Sequence, residues 1–301
     1  MRVVDLFCGC GGLSLGFILS GFEIAAAFDN WDPALRVYRS NFPHPCIKQD
    51  LSNVGESAGR IASFHPGMII GGPPCQDFSS AGLRNEEGGR GSLTIRYAQI
   101  ISIVRPEWFV LENVPRITKT RKLEGAISLF RRAGYGLTCA VLNAARCGVP
   151  QRRRRFIMIG CLGSHDGFLS QILSERQSPD EMTVRECLGT ELDIEFYYRH
   201  PRSYGRRGIF SIDEPSPTIR GVNRPLPPGY ALRRNDPVDS LDGVRALTAA
   251  ERSMIQTFPK GFKWIGPRTS VEQMIGNAVP VNLGKFVADA IKEFIASGRQ
   301  P

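Results

Sequence analysis

The segment Pro73-Pro74-Cys75-Gln76 follows the apolar run Met68-Ile69-Ile70 across two glycines. This pattern places one thiol on a stiff loop at the end of a predicted strand. Two prolines fix φ near about −65° and remove two backbone donors, so the cysteine is held in place. A thiol presented this way fits nucleophilic attack better than packing. Free cysteines are usually inert buried hydrophobes, and the chain has eight. The thiolate is the reactive form, so Cys75 needs a neighbour that lowers its pKa or accepts its proton. Three further segments follow it: Glu112-Asn113-Val114, Gln151-Arg152-Arg153-Arg154-Arg155 and Gly276-Asn277.

Composition bounds the partners. The 301 residues suffice for one large α/β domain and a smaller one. No apolar stretch approaches the length of a membrane span. The chain opens directly on a strand-like run, Val3-Val4-Asp5-Leu6-Phe7, without the features of a signal peptide. Cysteines 8, 10, 46, 75, 139, 147, 161 and 187 are scattered without a C-x-x-C pair, and the four histidines do not cluster with them. No metal site or disulfide framework is expected, and a reducing cytoplasm is. The net charge is +9, carried by 31 arginines and seven lysines. The arginine fork fits phosphate and guanine, although a codon bias would also enrich arginine. Charge thus favours a nucleic acid partner.

The elements that must position these residues alternate. Strands are predicted at 3–6, 23–28, 68–70, 108–111, 136–142 and 156–160, and helices at 13–19, 34–41, 93–104 and 123–133. This is the pattern of a doubly wound parallel α/β sheet, in which ligands bind beyond the carboxyl ends of strands. From 164 to 245 the chain turns rich in Pro, Gly, Arg and Tyr without clear period. This stretch is predicted to be a smaller, mostly irregular or β domain. Arg199, Arg202, Arg206 and Arg207, interleaved with tyrosines, are its candidate nucleic acid contacts. Helical order returns with capping-box patterns at Thr248 and Ser270, then a helix over 281–296. Residues 1–163 and 246–301 are expected to form the larger domain.

Asp5-Leu6-Phe7-Cys8-Gly9-Cys10-Gly11-Gly12-Leu13 links the first strand to the first helix. Small residues let the backbone approach a ligand, and a helix N-terminus favours an anionic group. No G-x-x-x-x-G-K-[ST] occurs, and Ser14 stands where the dinucleotide fingerprint needs its third glycine. S-adenosylmethionine remains, with its carboxylate against this turn.

Taken together, these segments resemble the ordered motifs of the C5-cytosine-specific DNA methyltransferases, of the bacterial restriction-modification type. The resemblance covers about 1–163 and 214–297. It implies an S-adenosylmethionine-dependent, Rossmann-like fold. Phe7 would pack on the adenine, and Gly9, Gly11, Gly12 and Leu13 would line the cofactor. Trp31 would cover the adenine, and Asp50 with Leu51 would meet its amino group. Pro73, Asn277 and Ala278 would complete the site. Where the family carries an acid for the ribose this chain has Asn30, so either Asp29 or Asn30 takes that role.

The resemblance also assigns the chemistry. Cys75 would add to cytosine carbon 6 and make carbon 5 nucleophilic. Glu112 would hold N3 and the exocyclic amine; Arg155 and Arg153 match the motif's catalytic arginines, and Arg155, the last of them, would hold O2. Alternation puts 151, 153 and 155 on one face, leaving Arg152 and Arg154 as solvated charge. The cytosine must leave the duplex. Gln76, Ser79 and Arg90 would close over it, and Gln151 and Thr218 would touch DNA. The expected partners are double-stranded DNA and a restriction endonuclease, with the enzyme acting as a monomer. Two alternatives remain. A tRNA cytosine-5 methyltransferase of the same fold usually carries a Cys-Phe-Thr tripeptide, absent here. A non-catalytic DNA-binding relative would be free to lose Cys75, Glu112 or Arg155, and all three are present.

Overall fold

The computed structural model describes residues 1–74, 93–201 and 206–298. Cys75, Gln76, Ser79, Arg90 and Arg202 therefore lie outside the described residues. The central sheet has seven strands in the order β3-β2-β1-β4-β5-β8-β6. They are β1 (Arg2–Leu6), β2 (Glu23–Asp29), β3 (Cys46–Lys48), β4 (Met68–Gly71), β5 (Trp108–Asn113), β6 (Tyr135–Asn143) and β8 (Arg154–Leu162). β3 and helix α3 (Val54–Ala62) are additions to the sequence reading; β3 is only three residues long and lacks a clear period.

The sheet is mixed, which corrects the expected parallel one. β8 runs antiparallel to both β5 and β6. Only residues 144–153 join β6 to β8. A parallel crossover needs a dozen residues or more, usually with a helix, so the chain turns back instead.

Alternation along the strands sends side chains to two cores. Val3, Met68, Ile70, Trp108 and Val110 face α1 (Gly12–Leu19), α6 (Ser170–Glu175) and α10 (Val281–Ala296). Val4, Ile69, Phe109 and Leu111 face α3, α4 (Leu93–Val104) and α5 (Arg121–Arg132). Because Phe168, Leu169, Ile172 and Leu173 lie in the first of these cores, the larger domain does not end at 163. A third cluster joins α2 (Asp32–Asn41) to α7 (Val184–Leu188), α8 (Ala249–Ile255) and α9 (Arg268–Asn277).

The smaller part is built on a three-stranded sheet of β10 (Ile209–Ser211), β9 (Phe196–Tyr198) and β12 (Arg245–Ala246). Its own apolar cluster is small: Tyr198, Ile209 and Val244 are its buried members. Asp236 braces it by accepting from the Gly208 and Ile209 amides and the Tyr230 hydroxyl. Two short strands, β7 (Gln151–Arg152) and β11 (Ser216–Pro217), pair in parallel and join the two parts.

Thr248 caps α8 in a complete capping box, as its spacing predicts. The Ser270 box is not used. α9 starts three residues earlier, after Pro267, and Glu272 in its first turns is buried against Arg252 of α8.

Two glycines should respond oppositely to alanine. A Cβ at Gly16 would stand 2.5 Å from Val281 O and Lys285 N, where α1 meets α10. Gly59, exposed within α3, has nothing within 4 Å. Gly16→Ala should cost about 1–3 kcal/mol and lower Tm. Gly59→Ala should add roughly 0.5–1 kcal/mol and raise it. Thermal melts of the two variants against the parent check both signs.

Candidate active site

The carboxyl ends of β1, β2, β3, β4 and β5 share one edge of the sheet. Phe7, Asp29, Asp50, Pro73 and Glu112 all lie at or just past those ends. The strand order reverses between β1 and β4, which opens the crevice typical of ligand sites in such sheets. Since β8 is antiparallel, its beginning meets the same edge, and Arg155 arrives beside Glu112. Arg155 Nε lies 2.8 Å from Glu112 Oε1, with both side chains largely buried. The other oxygen, Oε2, is 3.1 Å from the position a Cβ would take at Gly72, directly before Pro73. Asn113 Nδ2 donates to Pro73 O at 2.9 Å, tying the end of β5 to the chain that leads into Cys75. From the helix side, Tyr97 Oη donates toward Ile69 O and Val110 O, at 3.2 and 2.9 Å, and clasps β4 to β5. Sequence and fold thus bring Glu112, Arg155 and the approach to Cys75 together.

The glycine-rich loop divides its labour. Gly11 and Gly12 are small because protein fills the space: a Cβ would stand 2.4 Å from Phe42 Cε2 and 2.2 Å from Val279 O, respectively. Gly9, at φ +54°, opens onto free space. Phe7 has φ +58°, a left-handed conformation that costs a non-glycine residue roughly 1–2 kcal/mol. Such strain persists where the surroundings enforce it, often at ligand sites. Asp29 uses both carboxylate oxygens on backbone, accepting from Gly9 N and Trp31 N at 2.9 Å each. Asn30 beside it is exposed, and Trp31 is half-buried. Asp50 is exposed past β3, Leu51 and Leu13 are buried, Asn277 is exposed at the end of α9, and Ala278 is half-buried. Among the described residues, no group of three or more His, Cys, Asp or Glu could hold a metal ion.

Two expected site residues belong to the interior instead. Arg153 is 1% exposed, and its guanidinium donates to the carbonyls of Ile219, Gly276 and Ala278, each at 3.0 Å. Burial pushes its pKa well down, Arg155 adds to that, and Glu112 opposes it. Gln151 is fully buried: it accepts from Ile219 N at 2.9 Å and donates to Gln256 Oε1 at 2.8 Å. A catalytic Arg153 and a DNA-contacting Gln151 are therefore corrected. The alternation correctly put both on one face, but that face is packed against 219 and 276–278.

The remaining expected contacts are mostly engaged within the protein. Thr218 donates its hydroxyl to Arg152 O at 2.8 Å. Arg199 donates to Thr218 O at 2.8 Å. Arg207 pairs with Glu214 at 2.5 Å and covers the Phe210 ring. Arg206 is exposed.

Comparison with known proteins agrees with this geometry. Residues 1–293 match the model of the family described as C-5 cytosine-specific DNA methylase. The chain belongs to that family. The methylase is 58% identical over 295 residues to Type II methyltransferase M.HindV of Haemophilus influenzae, covering 98% of this chain and 97% of that one. It is 48% identical over 299 residues to Type II methyltransferase M.HgiDI of Herpetosiphon aurantiacus, covering 99% and 96%. In fold it matches the S. pombe Dnmt2 methyltransferase over the whole of both chains, with TM-score 0.72 at 17% identity. It is thus a DNA (cytosine-5-)-methyltransferase. No helix among the described residues is long and apolar enough to cross a membrane.

Beneath the glycine loop the methylase holds a feature that the sequence reading missed. Asp5 is fully buried, and among the described residues Oδ1 has no partner. Its Oδ2 accepts from Ser14 Oγ at 2.6 Å, and a chain of contacts at 2.7 Å continues through Tyr38 Oη to His44 Nε2. Burial raises the Asp5 pKa from 3.8 to about 7; Ser14 opposes this and the charge on Asp29 adds to it. The folded protein therefore keeps a proton that the unfolded chain releases, between about pH 4 and pH 7. Stability from this group falls as pH rises through that window and is level above it. Asp5→Asn cannot ionise, so the melting temperature of the variant minus that of the parent should grow between pH 4 and pH 8. A difference that shrinks over that range would contradict the burial argument. Arg153→Lys should lower Tm at every pH, because a single ammonium cannot serve three divergent carbonyls as the planar fork does.

Proposed function

We propose that this methylase transfers a methyl group from S-adenosylmethionine to carbon 5 of a cytosine turned out of a specific double-stranded DNA site. A covalent bond from Cys75 Sγ to carbon 6 would carry the reaction. The observation behind this reading is the Glu112–Arg155 pair, held beside Gly72 and Pro73 where the chain enters Cys75.

The residues present fit the cofactor. Gly9 opens onto free space, and the rings of Phe7 and Trp31 are only part-buried. Asp50 presents an exposed carboxylate past β3. Because both oxygens of Asp29 hold backbone amides, the exposed amide of Asn30 is the ribose partner in this reading. When bound, S-adenosylmethionine supplies an electrophilic sulfonium methyl.

The protein's own groups activate the base. Addition of the Cys75 thiolate at carbon 6 pushes electron density through the ring, and carbon 5 becomes enamine-like. Glu112 offers Oε2 to the exocyclic amine and would share a proton with N3, since Arg155 already holds Oε1. The remaining N–H groups of the Arg155 guanidinium stabilise charge at O2. Once carbon 5 has taken the methyl group, a base accepts its proton and the thiolate leaves, which restores the aromatic ring. The identity to Type II methyltransferases supports a role in protecting DNA from a partner endonuclease.

Base-resolution 5-methylcytosine sequencing of DNA from a methylation-deficient host expressing the chain tests this. Methylation is expected at one short motif and should vanish with Cys75→Ala. Glu112→Gln should lower kcat by at least about 100-fold, with little change in KM for the cofactor. An unmethylated genome despite a folded protein that binds S-adenosylmethionine would sink the reading.

A further inference from the structure

We propose that Arg154, Lys119 and Arg121 form a phosphate-binding strip beside the catalytic pair, and that it grips the DNA backbone. This rests on the DNA methyltransferase reading and adds a surface outside the smaller domain.

The strip is a product of the fold. Glu112 and Asn113 end β5, and a 3-10 turn over Pro115–Lys119 follows, leading into α5. Ile117, 1% exposed, plugs this turn into the same core as Phe156 and Leu123. The turn packs against the start of β8. Asn113 is paired in register with Phe156, so Arg154 and Arg155 lie just past it at the same edge. Arg155 turns inward to Glu112, while Arg154 is exposed. Lys119 and Arg121 are exposed on the neighbouring turn and helix start.

Charge distinguishes this strip from ordinary surface. The alternate arginine, Arg152, is matched by Glu181 at 2.7 Å. Among the described residues no ion pair matches Arg154, Lys119 or Arg121. Of the nearest acids along the chain, Glu112 is taken by Arg155, and Glu124 in the first turn of α5 offsets only one of the three cations. Two basic residues, Arg121 and Lys122, occupy the first turn of α5, where a cation is disfavoured by the exposed backbone N–H groups. Three exposed cations in no ion pair among the described residues, on the sheet edge that carries Glu112, fit a polyanionic backbone better than water alone. Phosphate contacts position a duplex without reading its sequence.

The test uses a random-sequence duplex of about 30 base pairs and the slope of log affinity against log salt concentration. Each lost phosphate contact should reduce the slope by about 0.9, so Arg154→Gln/Lys119→Gln/Arg121→Gln should flatten it by about 2.7. The single variant Lys119→Gln should flatten it by about 0.9, which keeps the test open if the triple variant misfolds. The methylated motif should match the parent's, because phosphate contacts carry no sequence information. Slopes equal to the parent's in both variants would overturn the strip. Since the probe carries no specific site, that result is separate from failure of the parent to methylate DNA, which would overturn the underlying reading.

Discussion

One buried cation, Arg153, organises the molecule. Arg153 carries its guanidinium into the interior without a carboxylate partner among the described residues and divides its donors among three backbone carbonyls, one at 219 and two at 276 and 278. Leaving such carbonyls unpaired in the interior costs about 1–3 kcal/mol each, and charged donors make the stronger bonds. The fork therefore pins three segments that are far apart in sequence. Gln151 and Gln256 complete the junction: Gln256 Nε2 reaches Ile275 O at 2.5 Å. Gly276 allows it, because a Cβ there would stand 2.1 Å from Gly221 N. The backbone at 153 is thus fixed, and Arg155, two residues on, is delivered to Glu112.

The direction of one strand matters as much. In a wholly parallel sheet, a residue that begins a strand lies at the opposite edge from one that ends its neighbour. β8 runs the other way, so an arginine before its first core residue meets a glutamate near the end of β5. The strands divide the work. β1, β2 and β3 end in the glycine loop, Asp29 and Asp50, while β4, β5 and β8 carry the path to Cys75, Glu112 and Arg155. The order reversal between β1 and β4 brings the two groups side by side.

The smaller part depends on the larger one. Its own buried cluster is slight, and its loops are braced by polar contacts such as those of Asp236. What stabilises it further is the shared core with α2, α8 and α9, and the buried Arg252–Glu272 pair. Arg252 also donates to Arg220 O, and Asn223 donates to Glu272 at 3.0 Å, so the 220–223 loop is held from beneath. A buried pair of this kind specifies position more than it adds stability.

The sequence by itself determined the alternating α/β plan and six of the seven central strands, and it singled out Glu112 and Arg155, which the fold brings together. Those features are local: apolar runs, turn residues and motif spacing state them directly. Tertiary structure decided the rest. The direction of β8 was legible in the absence of an α-helix between 143 and 154, yet alternation of elements suggested a parallel sheet. Nothing local separates Arg153 from Arg155, or Arg152 from Arg154. Each pair has the same residue type on the same face of a short extended segment. Which member is buried, matched or left exposed depends on groups that the fold brings from 112, 181, 219 and 276, and a single chain segment carries no record of them.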